Sequence, residues 1–197
     1  MWPHGAPPQG KEAMQLDLGL LKFLVVDDNA HMRRIVRTLL HGLGARETVE
    51  AEDGASGLDI FRSQAPDLVI TDWVMPIMDG IELVRRIRDP ASPSNPFVPI
   101  IMLTGYAERR RVFLARDAGV HEFLAKPLSA KSLYDHVANV IVNPRPFIQA
   151  KSYFGPDRRR FRNPNWCGPD RRARHGRAID IDDFVAQSDS SAKSIAL

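Results

Sequence analysis

The chain has 197 residues, 44% of them hydrophobic, and a net charge of +3, which allows one domain of ordinary size with a real core and little beyond it. The charge is uneven: the last 54 residues hold 11 of the 27 Lys and Arg against 6 of the 24 Asp and Glu, so the basic character belongs to the tail. One cysteine, Cys167, excludes an internal disulfide and forms no zinc pattern with the scattered histidines, which points to a reducing, cytoplasmic setting.

Residues 1–19, rich in Pro and Gly, read as a flexible leader in which Met14 offers a second start. The apolar run from Leu16 to Val26 is broken by Asp17 and Lys22, with no basic leader or small-residue cleavage site before it. It is neither a signal peptide nor a membrane span. From residue 20 to 143 the pattern is regular. Short apolar runs predict strands at 22–26, 67–71, 99–103 and 122–125, and the alternation of elements places a further strand near 47–51. Helical spacing predicts helices at 30–42, 54–64, 80–88, 107–118 and 129–142. The first helix carries Ile35, Val36, Leu39, Leu40 and Leu43, and the last carries Leu133, Val137, Val140 and Ile141, each a single stripe that reads as core. Asp53-Gly54, Pro66, Gly105 and Gly119 mark turns, and the four prolines between Asp89 and Pro99 require a loop. After Pro144 no periodic pattern of useful length remains, so residues 144–197 read as an irregular, arginine-rich and proline-rich tail rather than a second folded domain.

Strands alternating with helices imply a doubly wound parallel sheet, and such sheets collect their chemistry at the carboxyl ends of the strands. Asp27, Asp28, Asp72, Thr104 and Lys126 all follow or end an apolar run, so three carboxylates, a hydroxyl and an ammonium meet in one crevice. Mg²⁺ takes oxygen ligands in octahedral geometry, and Asp28 and Asp72, with Asp27 beside or behind them, supply them. A carboxylate can attack phosphorus to give an acyl phosphate when metal and cation neutralise the transferring group. Lys126 supplies that cation and Thr104 a hydroxyl donor. Singly, each residue has a plainer role, since Asp at a strand end often caps a helix and a lone Lys is usually solvated. A metal-dependent phosphatase with an aspartyl intermediate would share the crevice, but Val74, not an acid, lies two residues after Asp72. No phosphate-cradling Gly-rich P-loop is present either.

The stretches Phe23-Leu-Val-Val-Asp-Asp-Asn29, Met32-Arg-Arg-Ile-Val-Arg37, Thr71-Asp-Trp-Val-Met-Pro76 with Asp79-Gly80, Leu103-Thr-Gly105 and Lys126-Pro127 resemble a response-regulator receiver domain of the CheY-like type. The resemblance implies a flavodoxin-like five-stranded parallel sheet in the order 2-1-3-4-5. It implies that Asp72 accepts a phosphoryl group from a sensor histidine kinase or phosphotransfer protein, and that the protein signals rather than catalyses. Asp27, Asp28, Asp72 and the carbonyl of Val74 would bind Mg²⁺, Thr104 and Lys126 would engage the phosphoryl oxygens, and the Lys126-Pro127 bond would be cis. Phe123 would be the switch aromatic, relaying the state of the crevice to the face of the fourth helix, last strand and last helix. Phe123 lacks the hydroxyl of many relatives, and Val74 replaces a residue that is often polar.

The tail repeats itself. Tyr153-Phe-Gly-Pro-Asp-Arg-Arg159 recurs thirteen residues later as Trp166-Cys-Gly-Pro-Asp-Arg-Arg172. Gly-Pro sets a turn, and Asp-Arg-Arg places an acceptor beside two fork-shaped donors. Arg pairs with guanine O6 and N7, Asp accepts from the opposite edge, and Tyr or Trp stacks on the ring. The combination resembles the CheY-like cyclic di-GMP effectors that act at the flagellar motor. That resemblance implies ligand contacts at Tyr153, Asp157, Arg158, Arg159, Trp166, Asp170, Arg171 and Arg172, with Arg160, Arg162 and Arg174 as helpers. Two other readings stay open: a solvated basic tail, and one that binds nucleic acid or another acidic partner through its arginines. Residues 179–197, with Ile179, Ile181, Phe184 and Val185 behind Asp182-Asp183, read as one short docking turn or as fraying chain.

Overall fold

The computed structural model describes residues 16–91, 94–105, 109–150, 153–158 and 176–179, the side chains of 109–111 and 176–179 excepted. Ten elements alternate along the first part of the chain. They are β1 (Lys22–Val26), α1 (Ala30–Gly42), β2 (Glu47–Ala51), α2 (Gly54–Gln64), β3 (Leu68–Asp72), α3 (Gly80–Ile87), β4 (Ile100–Thr104), α4 (Arg109–Ala118), β5 (Glu122–Ala125) and α5 (Ala130–Val142). The five strands are parallel in the order β2-β1-β3-β4-β5, as the resemblance implies.

The two-residue period of each strand sorts its side chains into two cores. Phe23 and Val25 of β1, Leu68 and Ile70 of β3, and Ile101 and Leu103 of β4 pack with Val36 and Leu40 of α1 and Leu133 and Val137 of α5. The alternate residues Leu24, Val26, Val69, Ile100 and Met102 pack with Leu58 and Phe61 of α2, Leu83, Val84 and Ile87 of α3, and Ala115 and Ala118 of α4. Burial on both faces explains why these strands read as unbroken apolar runs. Helix starts are set by side-chain caps: Asn29 accepts from the amides of His31 and Met32, Asp53 from Ser56, Asp79 from Glu82 and Ser129 from Ser132.

Three expectations change. β3 and β4 each end one residue later than the apolar runs suggest, so Asp72 pairs with Leu103, and Thr104 with Ala125, inside the ladder. Leu18, assigned by composition to the flexible leader, sits 1% exposed in the α1–α5 core within a short 3-10 turn, Leu18–Leu20, capped by Asp17. The backbone amide of Leu16 donates to the Tyr134 hydroxyl of α5, so the packed unit starts before residue 20.

The third change lies in the tail. Beyond α5 the chain forms β6 (Phe147–Ala150), β7 (Tyr153–Pro156) and β8 (Gly176–Ile179), an antiparallel sheet in the order β7-β6-β8. The extension is therefore not irregular throughout. Phe147, 3% exposed, anchors it in a cluster of rings: its centroid lies 4.7 Å from Phe97, 5.6 Å from Phe154 and 5.7 Å from His121. Among the described residues no helix is long and apolar enough to cross a membrane.

Candidate functional site

The carboxyl ends of β1, β3, β4 and β5 bring the predicted crevice residues together. Carboxylate oxygens of Asp27, Asp28 and Asp72 lie within 4.8 Å of one another. Asp27 is fully buried, Asp72 half-buried and Asp28 exposed, so the cluster opens outward through Asp28. Lys126 Nζ bridges the two inner carboxylates, 3.0 Å from Asp27 Oδ2 and 2.9 Å from Asp72 Oδ1. Thr104 is buried beside them at the end of β4 and hands its carbonyl to the amide of Lys126 at 2.9 Å. The Lys126-Pro127 bond is cis.

Local features hold these groups in place. The Asp27 Oδ1 accepts from the Asn29 amide at 2.9 Å, and Arg33 Nη1 donates to the Asp27 carbonyl at 2.7 Å while its Nε reaches Glu50. Gly80 begins α3 directly against β3, where a Cβ would fall on the carbonyl oxygen of Asp72. Only glycine lets that turn close. Gly54 opens α2 in the same manner, donating its amide to the Met78 carbonyl at 3.2 Å, so the β3–α3 loop is pinned from two sides.

Electrostatics reflect the crowding. Burial raises the Asp27 carboxyl above its ordinary value, against the opposing pull of Lys126 and the Asn29 amide. The two carboxylates raise the Lys126 ammonium despite the cost of its burial. Clustered anions held by a single ammonium leave negative charge in excess, the condition that a divalent cation relieves. Phe123 is half-buried against the α2–α4 core one strand away.

The tail residues separate. Tyr153 and Arg158 are placed at the other pole of the sheet, at the amino ends of β4 and β5. The Arg158 guanidinium lies 3.9 Å over the Tyr153 ring and 3.2 Å from Asp117 of α4, and the Tyr153 hydroxyl donates to the Pro156 carbonyl at 2.6 Å. The Asp157 amide donates to Pro146 at 2.8 Å. The first copy of the repeat thus makes contacts within the chain. Arg159, Trp166, Asp170, Arg171 and Arg172, with Arg160, Arg162 and Arg174, lie outside the described residues.

Sequence reasoning missed the residues that receive the extension. Arg88, the last residue of the helix predicted at 80–88, is 3% exposed. It donates to the carbonyls of Gly119 (3.1 Å), Pro96 (2.6 Å) and Val98 (2.8 Å), and its Nη2 lies 3.2 Å from His121 Nδ1. Glu122 accepts from Arg145 at 2.7 Å and Asn139 at 3.1 Å. The one signal available was Arg and His bracketing the apolar Phe97-Val98 and Val120 positions.

Comparison with known proteins fits this geometry. The description "Response regulator receiver domain" matches residues 23–138. The chain is 39% identical over 120 residues to chemotaxis protein CheY-3 of Vibrio cholerae, covering 61% of this chain and 91% of that one. It is 38% identical over 120 residues to chemotaxis protein CheY of Pseudomonas aeruginosa, covering 61% and 95%. The receiver domain of a P. aeruginosa sensor histidine kinase, with a magnesium ion coordinated in its active site cleft, matches with a TM-score of 0.57 at 28% identity, over 62% of this chain and 98% of that one.

Proposed function

The chain belongs to the response-regulator receiver family, and on that footing we propose that it is a single-receiver signalling protein that takes a phosphoryl group on Asp72. The observation that carries the reading is Lys126 Nζ bridging Asp27 and Asp72 beside the open carboxylate of Asp28. This all-oxygen donor set suits Mg²⁺, and Asp27, Asp28 and Asp72 with the Val74 carbonyl would hold it. When bound, the ion neutralises charge on the transferring group. An Asp72 carboxylate oxygen attacks the phosphorus of a phosphohistidine, the P–N bond breaks, and its electron pair returns to the imidazole. Lys126 then turns its ammonium from the free carboxylate to the phosphoryl oxygens, and the Thr104 hydroxyl donates to another. Val74 and Ile77, 62% and 87% exposed beside the crevice, offer apolar surface to the phosphodonor.

The output reading is the face of α4, β5 and α5, where Phe113 and Leu114 are exposed and Phe123 lies beneath. A target in motility control is supported by the chemotaxis proteins among the relatives. Incubation with a small-molecule phosphodonor and Mg²⁺ tests the acceptor. Acyl phosphate is expected in the parent chain and in Asp53→Asn and lost in Asp72→Asn, and labelling that persists in Asp72→Asn overturns the assignment.

The duplicated Gly-Pro-Asp-Arg-Arg unit supports a second input, cyclic di-GMP bound by the extension. Since Tyr153 and Arg158 are engaged within the chain, the second copy, Trp166 with Asp170, Arg171 and Arg172, carries most of this recognition. Calorimetric titration should show saturable binding that Arg171→Ala with Arg172→Ala abolishes. Binding of duplex DNA with a steep salt dependence, and none of the dinucleotide, would favour the nucleic-acid reading instead.

A further inference from the structure

The seam between the receiver and the extension forms an open cleft of about 480 Å³, walled on the receiver side by Arg85, Arg88 and Asp117 and on the extension side by Gln149, Tyr153 and Phe154. That volume lies in the range of small-molecule sites, which favour junctions between packed units. Arg88 is a buried cation whose partners are carbonyls, an imidazole nitrogen and the face of the Phe147 ring, 5.3 Å from its centroid. Among the described residues it has no carboxylate partner, and an uncompensated buried charge is costly. Four of its five N–H groups are used by these contacts, leaving one on Nη1. Arg85 is exposed at the mouth and has no ion-pair partner among the described residues. Among the described residues the lining holds one carboxylate, Asp117, already met by Arg116 at 3.5 Å and Arg158 at 3.2 Å. The cleft therefore carries surplus positive charge, while Tyr153 and Phe154 give it an aromatic wall and Gln149 an amide that both donates and accepts.

We propose that this seam binds a phosphate-bearing small molecule of mononucleotide size, its phosphate toward Arg85 and Arg88 and its base against the aromatic wall. Because both units line the cleft, such a ligand binds only the docked form and holds the extension onto the receiver. The site is separate from the arginines of the second repeat copy, so the two stand or fall independently.

Calorimetry on the full chain with GMP and with inorganic phosphate, joined to hydrogen exchange, tests it. GMP should bind more tightly than phosphate and slow amide exchange in β6 and β7. Arg85→Ala, at an exposed position, should weaken GMP at least about tenfold, the loss expected for a charge-assisted contact. Gly155→Val should weaken it too, since a Cβ there would lie 2.8 Å from the Tyr153 hydroxyl and 3.0 Å from Gly119 Cα, displacing the aromatic wall and pressing the hairpin off the receiver. No binding of GMP, equal binding by Arg85→Ala, or binding without slowed exchange in β6 and β7 would each overturn the proposal. A loss confined to Arg171→Ala with Arg172→Ala would also overturn it while leaving the repeat reading intact.

Discussion

His121 shows how one side chain links stability to pH. Its Nδ1 accepts from the Ile100 amide at 3.1 Å and faces Arg88 Nη2 at 3.2 Å, so the proton of the neutral ring sits on Nε2. Burial first, then Arg88 and Arg145, holds the ring well below its ordinary value of 6.5. The unfolded chain takes up a proton below that value and the folded one does not, so this contribution is complete above pH 6.5 and is lost as pH falls. Its slope approaches about 1.4 kcal/mol per pH unit. Denaturant titrations at pH 5, 6 and 7 should show stability rising with pH, and His121→Asn, whose carbonyl can replace the Nδ1 acceptor, should flatten that rise. Asp117 and Arg158, by contrast, are 48% and 37% exposed. Their pair is worth about 0.5 kcal/mol in a double-mutant cycle.

Among elements, the β3–α3 junction and the β6–β7 hairpin matter for opposite reasons. Gly80 has no room for a methyl group against the Asp72 carbonyl, so Gly80→Ala must push α3 or the acceptor strand aside. A cost of about 3 kcal/mol is expected, with a parallel drop in Asp72 phosphorylation that a thermal melt and a labelling assay would reveal together. Phe147 instead holds the hairpin to a finished domain. Phe147→Ala should cost about 3 kcal/mol of packing, seen as fast exchange confined to β6 and β7 while the amides of β1 to β5 stay protected. Loss of protection across the whole sheet would mean that the extension is integral to the receiver core.

Across the molecule, two poles of one sheet carry different tasks. The carboxyl ends of the strands gather Asp27, Asp28, Asp72 and Lys126, while the amino ends of β4 and β5 receive the extension through Arg88, His121 and Phe97. β5 and α4 touch both poles, the former leading from Glu122 towards Lys126 and the latter carrying Asp117 in its last turn. Phe147→Ala should therefore leave Asp72 labelling within about twofold of the parent, since the site is assembled without the extension. The five-stranded fold and the crevice were legible because the central strands β1, β3 and β4 are buried on both faces, which writes an unbroken apolar run, and because parallel topology forces the residues after those runs to one edge. Leu18 and the strands of the extension were not. Each is short, interrupted by Gly, Pro or charge, and stable only through partners far along the chain, Tyr134 for the first segment and Phe97, Arg88 and His121 for the hairpin. Local pattern by itself determined the alternation of strands and helices and the acidic cluster, while the strand order came from the resemblance. Burial of Arg88, engagement of Tyr153 and Arg158 and the seam cleft came from the tertiary structure alone, because they depend on which distant surfaces meet and no residue spacing encodes that.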